Sequence, residues 1–222
     1  MGKKNIAYIA PFLSFMLFIG LAQVLDSARP LPAGLPAMYL VFPIQTVVCA
    51  ALLAFFWRQY PLAAPRKAWL AAAIGLLAFA LWISPQAIFH QPPRLPGFNP
   101  QVFAGHPALY WPELVTRFLR LVIIVPLLEE IFWRGFLLRY LINEDFDIVP
   151  FGSYSHTSNA LVTIGFMFEH SRPDWPAALA TGLLYNAVAF RTRSLTSCVL
   201  AHALTNTLLG AFIMTTAQWG FW

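Results

Sequence analysis

Apolar runs of about 20 residues, the length that spans the ~30 Å hydrocarbon core of a bilayer, occupy residues 6–25, 38–57 and 68–89. Segments rich in Pro and Arg separate them, as expected of loops between helices; three prolines fall in residues 26–36, and residues 90–112 form the longest polar stretch. Pro112 and Glu113 suit the first turn of a further helix reaching about Leu141. At 1.5 Å per residue its ~30 residues exceed the hydrocarbon thickness, so it must tilt, kink or protrude, and Pro126 is the expected kink. Shorter apolar pieces follow at 159–170, 175–190 and 195–214, the first two short for a full crossing. The pattern predicts an all-α bundle of about seven transmembrane helices, a single membrane domain over residues 1–222 with no internal repeat.

Composition narrows the class. Of 222 residues 59% are apolar and only 10% charged, against about 25% charged in soluble domains, so most of the surface must face something other than water. Disorder needs the opposite balance, and a mean hydropathy of +0.65 carried by continuous runs excludes the weak alternation of a membrane β-barrel. The net charge of +5 is scattered thinly between apolar runs rather than clustered, which argues against a nucleic-acid partner. Cys49 and Cys198 each sit inside an apolar segment and read as small core residues. Lys3 and Lys4 precede an apolar run longer than a signal-peptide core, so a retained first helix is expected. With seven crossings and a cytoplasmic N-terminus, Lys3, Lys4, Arg58, Arg66, Lys67, Arg139, Arg191 and Arg193 lie inside, and Arg29, Arg94 and Arg172 outside. Trp57, Trp69, Trp82, Trp219 and Trp222 fall near span ends, as interfacial aromatics do.

The chemistry lies in what the second half places inside apolar helices. Glu129, Glu130 and Arg134 interrupt a hydrophobic run, where each charge costs roughly 2.5–3.5 kcal/mol on insertion scales. Glu130 and Arg134 are four apart and share a face; Glu129 points about 100° away without that local partner, and desolvation makes such a carboxylate a better base. Phe166 and His170 repeat the i, i+4 spacing, as do His202 and Asn206. Each pair alone is consistent with polar glue between helices. Together, Glu129, His170, His202 and Asn206 supply a base, two imidazoles and an amide donor, an inventory for activating water and holding an oxyanion. No Ser or Cys nucleophile stands beside a His in a comparable context, and His-Glu-x-x-His is absent. Glu144, Asp145 and Asp147 read as a solvated acidic turn, His90, His106 and His156 as solvent-facing, and Glu169 as pointing elsewhere on its helix than its neighbour His170, with orientation of the site as the minor reading. Gly182 and Asn186 are spaced for close helix contact and for lining a cavity.

Glu-Glu-x-x-x-Arg at Glu129, Glu130 and Arg134, Phe-x-x-x-His at Phe166 and His170, and His-x-x-x-Asn at His202 and Asn206 resemble, in order and spacing, the three motifs of the CAAX protease and bacteriocin-processing (CPBP) family of intramembrane proteases. The resemblance covers residues 114–214, the expected protease core. The run from Glu129 to Leu141, Phe168-Glu169-His170 and the closing Gln218-Trp219-Gly220-Phe221-Trp222 further resemble the CAAX-protease-related subgroup that accompanies bacterial exosortase and PEP-CTERM sorting systems. The resemblance implies an endopeptidase of the bacterial inner (plasma) membrane acting on a membrane-associated peptide or protein. Glu129 would activate water with help from His170, His202 and Asn206 would stabilise the oxyanion, and Glu130 and Arg134 would be supports. It leaves two chemistries: a metal-free route, favoured here, or a divalent metal such as zinc on Glu129, His170 and His202. The competing readings are a non-catalytic membrane scaffold or immunity- or sorting-associated protein, and a transporter, which would need two related halves.

One tension follows from the topology. In a seven-crossing bundle Glu129 and His202 lie in the cytoplasmic half while His170 falls at the outer end of its helix; either that helix is short and ends at membrane depth inside the protein, or the crossing count differs. The eight-to-three charge bias makes a direct prediction. A cysteine placed at Lys67 or Arg193 is expected to react with a membrane-impermeant thiol reagent from the cytoplasmic side only; labelling from outside overturns the orientation.

Overall fold

Seven main helices account for the sequence runs. The structure is a computed structural model that describes residues 3–28 and 35–222, and Arg29 lies outside the described residues. We number the helices α1 (Lys3–Ala28), α2 (Met38–Phe55), α3 (Ala68–Ala87), α4 (residues 107–140), α5 (His156–Glu169), α6 (Trp175–Thr192) and α7 (Leu195–Thr216), with no strand among the described residues. Four stretches, Lys4–Ser27, Met38–Phe55, Ala68–Ala87 and Leu195–Thr216, are long and apolar enough to cross a membrane. Their outward faces are themselves apolar: Leu13, Leu17, Leu21 and Val24 on α1, and Leu40, Ile44 and Val47 on α2, are exposed at helical spacing. Such faces suit lipid and not water. The chain is an all-helical membrane bundle.

α4 begins five residues before the expected start, because Pro107 as well as Pro112 suits a helix N-terminus and His106 takes the N-cap. Pro112 then sits inside the helix. The irregularity expected at Pro126 is a widened turn just ahead of it: Pro126 has no N–H for the Val122 carbonyl, and over Arg120–Ile124 the helix opens to i→i+5 bonding, with the Val125 N–H reaching the Arg120 carbonyl. A second widened stretch, Ile131–Leu137, was not expected at all.

The chain forms two units. In the first (Met1–Gln59, Arg94–Leu128, Gly210–Trp222) α1 packs on α2, and α2 on the first half of α4. Two buried cations of α4 are held mainly by rings here. Arg117 lies over Phe42, Phe98 and Trp222, and Arg120 over Phe15 and Phe42, with Arg120 Nε donating to Gln45 Oε1 at 2.7 Å. Trp219 is buried in this unit, and so is not an interfacial belt residue.

In the second unit (Tyr60–Pro93, Glu129–Leu209) α5 and α3 both pack on α6. Three loops meet at one end of it: Lys67 Nζ donates to the Arg191 carbonyl at 2.9 Å, Ser197 Oγ donates to the Arg66 carbonyl at 2.7 Å, and Gly152 lies against the Ala189 carbonyl. Each belongs to a segment that the charge count places on the same side. Gly152 has φ +80°, a left-handed conformation that favours glycine, and a Cβ there would sit 2.5 Å from the Ala189 oxygen.

Gly75 lets α3 approach α7: an added Cβ would lie 2.6 Å from the Ala201 carbonyl oxygen and 3.2 Å from Leu204 Cβ. Gly75→Val is therefore expected to destabilise by ~1–3 kcal/mol, the usual cost of overpacking. Gly20, with nothing within 4 Å of its Cβ position, should accept Ala without loss. Thermal unfolding in detergent of the two variants checks the contrast.

Candidate active site

All seven residues singled out by the motifs fall within the second unit. The end of α4 supplies Glu129, Glu130 and Arg134, the end of α5 supplies His170, and α7 supplies His202 and Asn206.

Arg134 is the anchor. It has no exposure, and its guanidinium donates Nη1–H to Glu130 Oε1 at 3.0 Å, Nε–H to Asn186 Oδ1 at 3.0 Å and Nη2–H to the Gly182 carbonyl at 3.3 Å. Its flat face lies over Phe166 at 4.8 Å and Tyr185 at 5.4 Å. Asn186 passes the network on, donating to Asn159 Oδ1 at 3.0 Å and Thr163 Oγ1 at 3.1 Å on α5. The spacing of Gly182 and Asn186 thus serves as the sequence suggested, for close contact.

Glu130 has a second task. Its Oε1 also receives His202 Nδ1 at 2.9 Å. A carboxylate only accepts, so Nδ1 carries the proton, and Nε2 is the nitrogen left facing the site. That Nε2 lies 4.0 Å from Glu129 Oε2, a buried oxygen that receives no hydrogen bond. The His202 ring is held by Tyr185, 5.1 Å away at 34°, whose hydroxyl donates to Thr205. Asn206 is buried one turn after His202 on the same face of α7.

α5 has 14 residues, about 21 Å, which is shorter than the hydrocarbon thickness, and His170 caps its end. His170 Nδ1 donates to the Phe166 carbonyl at 2.8 Å, and Trp175 Nε1 donates to the His170 carbonyl at 3.1 Å, which satisfies the helix end. The Phe166 ring lies between the two imidazoles, 4.9 Å from His170 and 6.4 Å from His202. Trp82, expected only as an interfacial aromatic, instead packs on His170 at 5.2 Å and donates to Thr181 Oγ1 at 3.0 Å.

Sequence reasoning favoured the wrong reading of one acid. Glu169 does not point away from the site: Trp133 Nε1 donates to its Oε2 at 2.9 Å, and its carboxyl lies within hydrogen-bonding range of Glu129. The signal available was Trp133, one turn after Glu129, an indole that must find an acceptor when buried. The remaining polar residues behave as read, with His90, His106, His156, Glu144, Asp145 and Asp147 all exposed.

The alternative metal site requires three converging donors. Among the described residues no three His, Cys, Asp or Glu side chains form such a group; Nδ1 of His202 is bonded to Glu130 and Nδ1 of His170 to a carbonyl, which leaves Nε2 of each ring outside those bonds.

Residues 111–208 match the family described as type II CAAX prenyl endopeptidase Rce1-like. The match falls on the stretch that carries the three motifs. No curated protein and no solved structure matches the chain.

Glu130 is fully buried between a guanidinium and an imidazole. Glu130→Gln removes the anion that Arg134 depends on, and stranding such a cation costs ~3–5 kcal/mol. Poor yield and a lowered unfolding temperature are expected. A Glu130→Gln protein of unchanged stability would show that the pair is not structural.

Proposed function

We infer that the chain belongs to the type II CAAX prenyl endopeptidase, Rce1-like, family, and we propose that it is a membrane-embedded endopeptidase that hydrolyses a peptide bond of a membrane-associated substrate with water activated by Glu129. The observation that carries this reading is the division of labour between neighbouring acids. Glu130 is held through its Oε1 by both Arg134 and His202, whereas Glu129 Oε2 is buried, receives no hydrogen bond and lies 4.0 Å from His202 Nε2. That gap is too long for a direct hydrogen bond and suits a water molecule.

In this mechanism Glu129 removes a proton from water as its oxygen attacks the scissile carbonyl carbon, and the C–O bond forms as the carbonyl π electrons move to oxygen. His202 Nε2 and the Asn206 amide donate to that oxyanion. His202 does so when both its nitrogens carry protons, and Glu130 compensates the resulting charge. Collapse of the intermediate breaks the C–N bond, and the proton held by Glu129 goes to the leaving amine. His170, whose Nδ1 is fixed on a carbonyl, keeps Nε2 outside that bond, and we assign it the assisting role of accepting from the water. The reaction as proposed needs no metal. The substrate class is a membrane-associated peptide or protein, and we place the enzyme in the plasma membrane with its N-terminus cytoplasmic, supported by the charge bias and by the meeting of three basic-side loops at one end of the second unit.

Glu129→Gln keeps the side chain's shape and removes the base. Turnover of a cleaved peptide is expected to fall ~10²–10⁴-fold with expression and unfolding temperature preserved. Cleavage by the parent should also survive a strong zinc chelator. An active Glu129→Gln protein overturns the assignment of the base, and chelator-sensitive cleavage overturns the metal-free route.

A further inference from the structure

Trp133 stands four residues after Glu129 on α4, and its indole crosses to α5. It reaches that far because residue 165 is glycine: a Cβ on Gly165 would lie 2.9 Å from Cζ3 and 3.0 Å from Cη2 of the ring. The ring is buried edge-on to Phe166 at 6.2 Å and to Phe132 at 4.8 Å, so its N–H has one direction to point, and it meets Glu169 Oε2. Glu169 Oε1 is buried and receives no hydrogen bond; neither does Glu129 Oε2. The two carboxyls lie within hydrogen-bonding range of one another. Two buried acids in contact can share one proton between them. The contacts therefore close a ring that leaves α4 at Trp133, passes through Glu169 on α5 and returns to α4 at Glu129.

We propose that Glu169 is a positioning residue: anchored by the Trp133 indole, it fixes the Glu129 carboxyl in the orientation that faces His202. The proposal rests on the reading of Glu129 as the base. It accounts for why Glu129, which lacks the ion pair that holds Glu130, is not free to swing, and why the residue before His170 is an acid buried toward the site. Glutamine at 169 preserves both contacts, since its amide oxygen accepts from Trp133 and its NH₂ donates to Glu129, whereas leucine abolishes both.

Steady-state cleavage by Glu169→Gln, Glu169→Leu and Trp133→Phe, each well below its unfolding temperature and normalised to folded protein, tests this. Glu169→Leu is expected to lower kcat by about 10–100-fold with KM little changed, the scale of a small misplacement of a reacting group. Trp133→Phe should fall in the same direction, and Glu169→Gln should keep kcat within about 3-fold of the parent. Glu169→Leu with undiminished kcat per folded molecule overturns the proposal, as does a Glu169→Gln variant as slow as the leucine one. A second readout is independent of cleavage. The hydrogen-bond-sensitive indole band of Trp133 in ultraviolet resonance Raman, isolated by subtracting the Trp133→Phe spectrum, should shift in Glu169→Leu and stay in Glu169→Gln. No shift in Glu169→Leu overturns the anchor even where no peptide is cleaved. An active Glu129→Gln protein would count against the base and leave the Raman result standing.

Discussion

A guanidinium sealed inside a helical bundle sets the conditions for everything around it. Arg134 has no water, so each of its donors needs an acceptor, and the acceptors come from Glu130 on its own helix and from Asn186 and Gly182 on α6. Meeting that demand fixes the neighbours: Asn186 is held in turn by Asn159 and Thr163 of α5, and Glu130 uses the same oxygen to take His202 of α7. Four helices are thereby brought into one register by a single cation. Such pairs seldom add net stability over an apolar core of equal volume, and their value lies in permitting one arrangement and few others. The facing of Glu129 and His202 is a consequence of that arrangement.

The first unit shows that buried charge alone does not mark a site. Arg117 and Arg120 are buried, as Arg134 is, yet aromatic faces pack on both, Phe42 on each, with Phe98, Trp222 and Phe15 around. Ring quadrupoles can accommodate a weakly hydrated guanidinium without presenting an acid to anything else. Around Arg134 rings and acids are combined, and one of those acids has a spare lone pair for an imidazole. The difference between a charge that is stored and a charge that organises chemistry is the identity of its partners.

Much of this was legible before any coordinates. Long apolar runs gave α1, α2, α3 and α7 to within three residues at each end, because a helix crossing lipid has to be apolar for its whole length. The motif residues could be grouped by spacing, and Gly182 and Asn186 were noticed for the right reason. What could not be read was of two kinds. The start of α4 at Pro107 was hidden by a second proline at Pro112 with equal claim to a first turn. Glu169 and Trp82 were misjudged because their partners, Trp133 and His170, are distant in sequence and only packing joins them.

The widened turns of α4 left no trace in the hydrophobic pattern, yet Ile131–Leu137 contains Arg134 and directly follows both acids. A turn with i→i+5 bonding is an α-helix carrying one residue more than it needs. Beyond it, Arg139 donates to the Gly135 carbonyl within that stretch and to Val149, and Leu138 offers its carbonyl to Ser158 at the start of α5. Removing a single residue from the stretch would let it relax into ordinary helix. Everything past Leu138 would then rotate by about 100° and retreat by about 1.5 Å relative to Glu129. The helix is therefore gauged by count as well as by composition: side chains in this segment can be exchanged for others of like size, but a chain shorter by one residue cannot satisfy both ends at once.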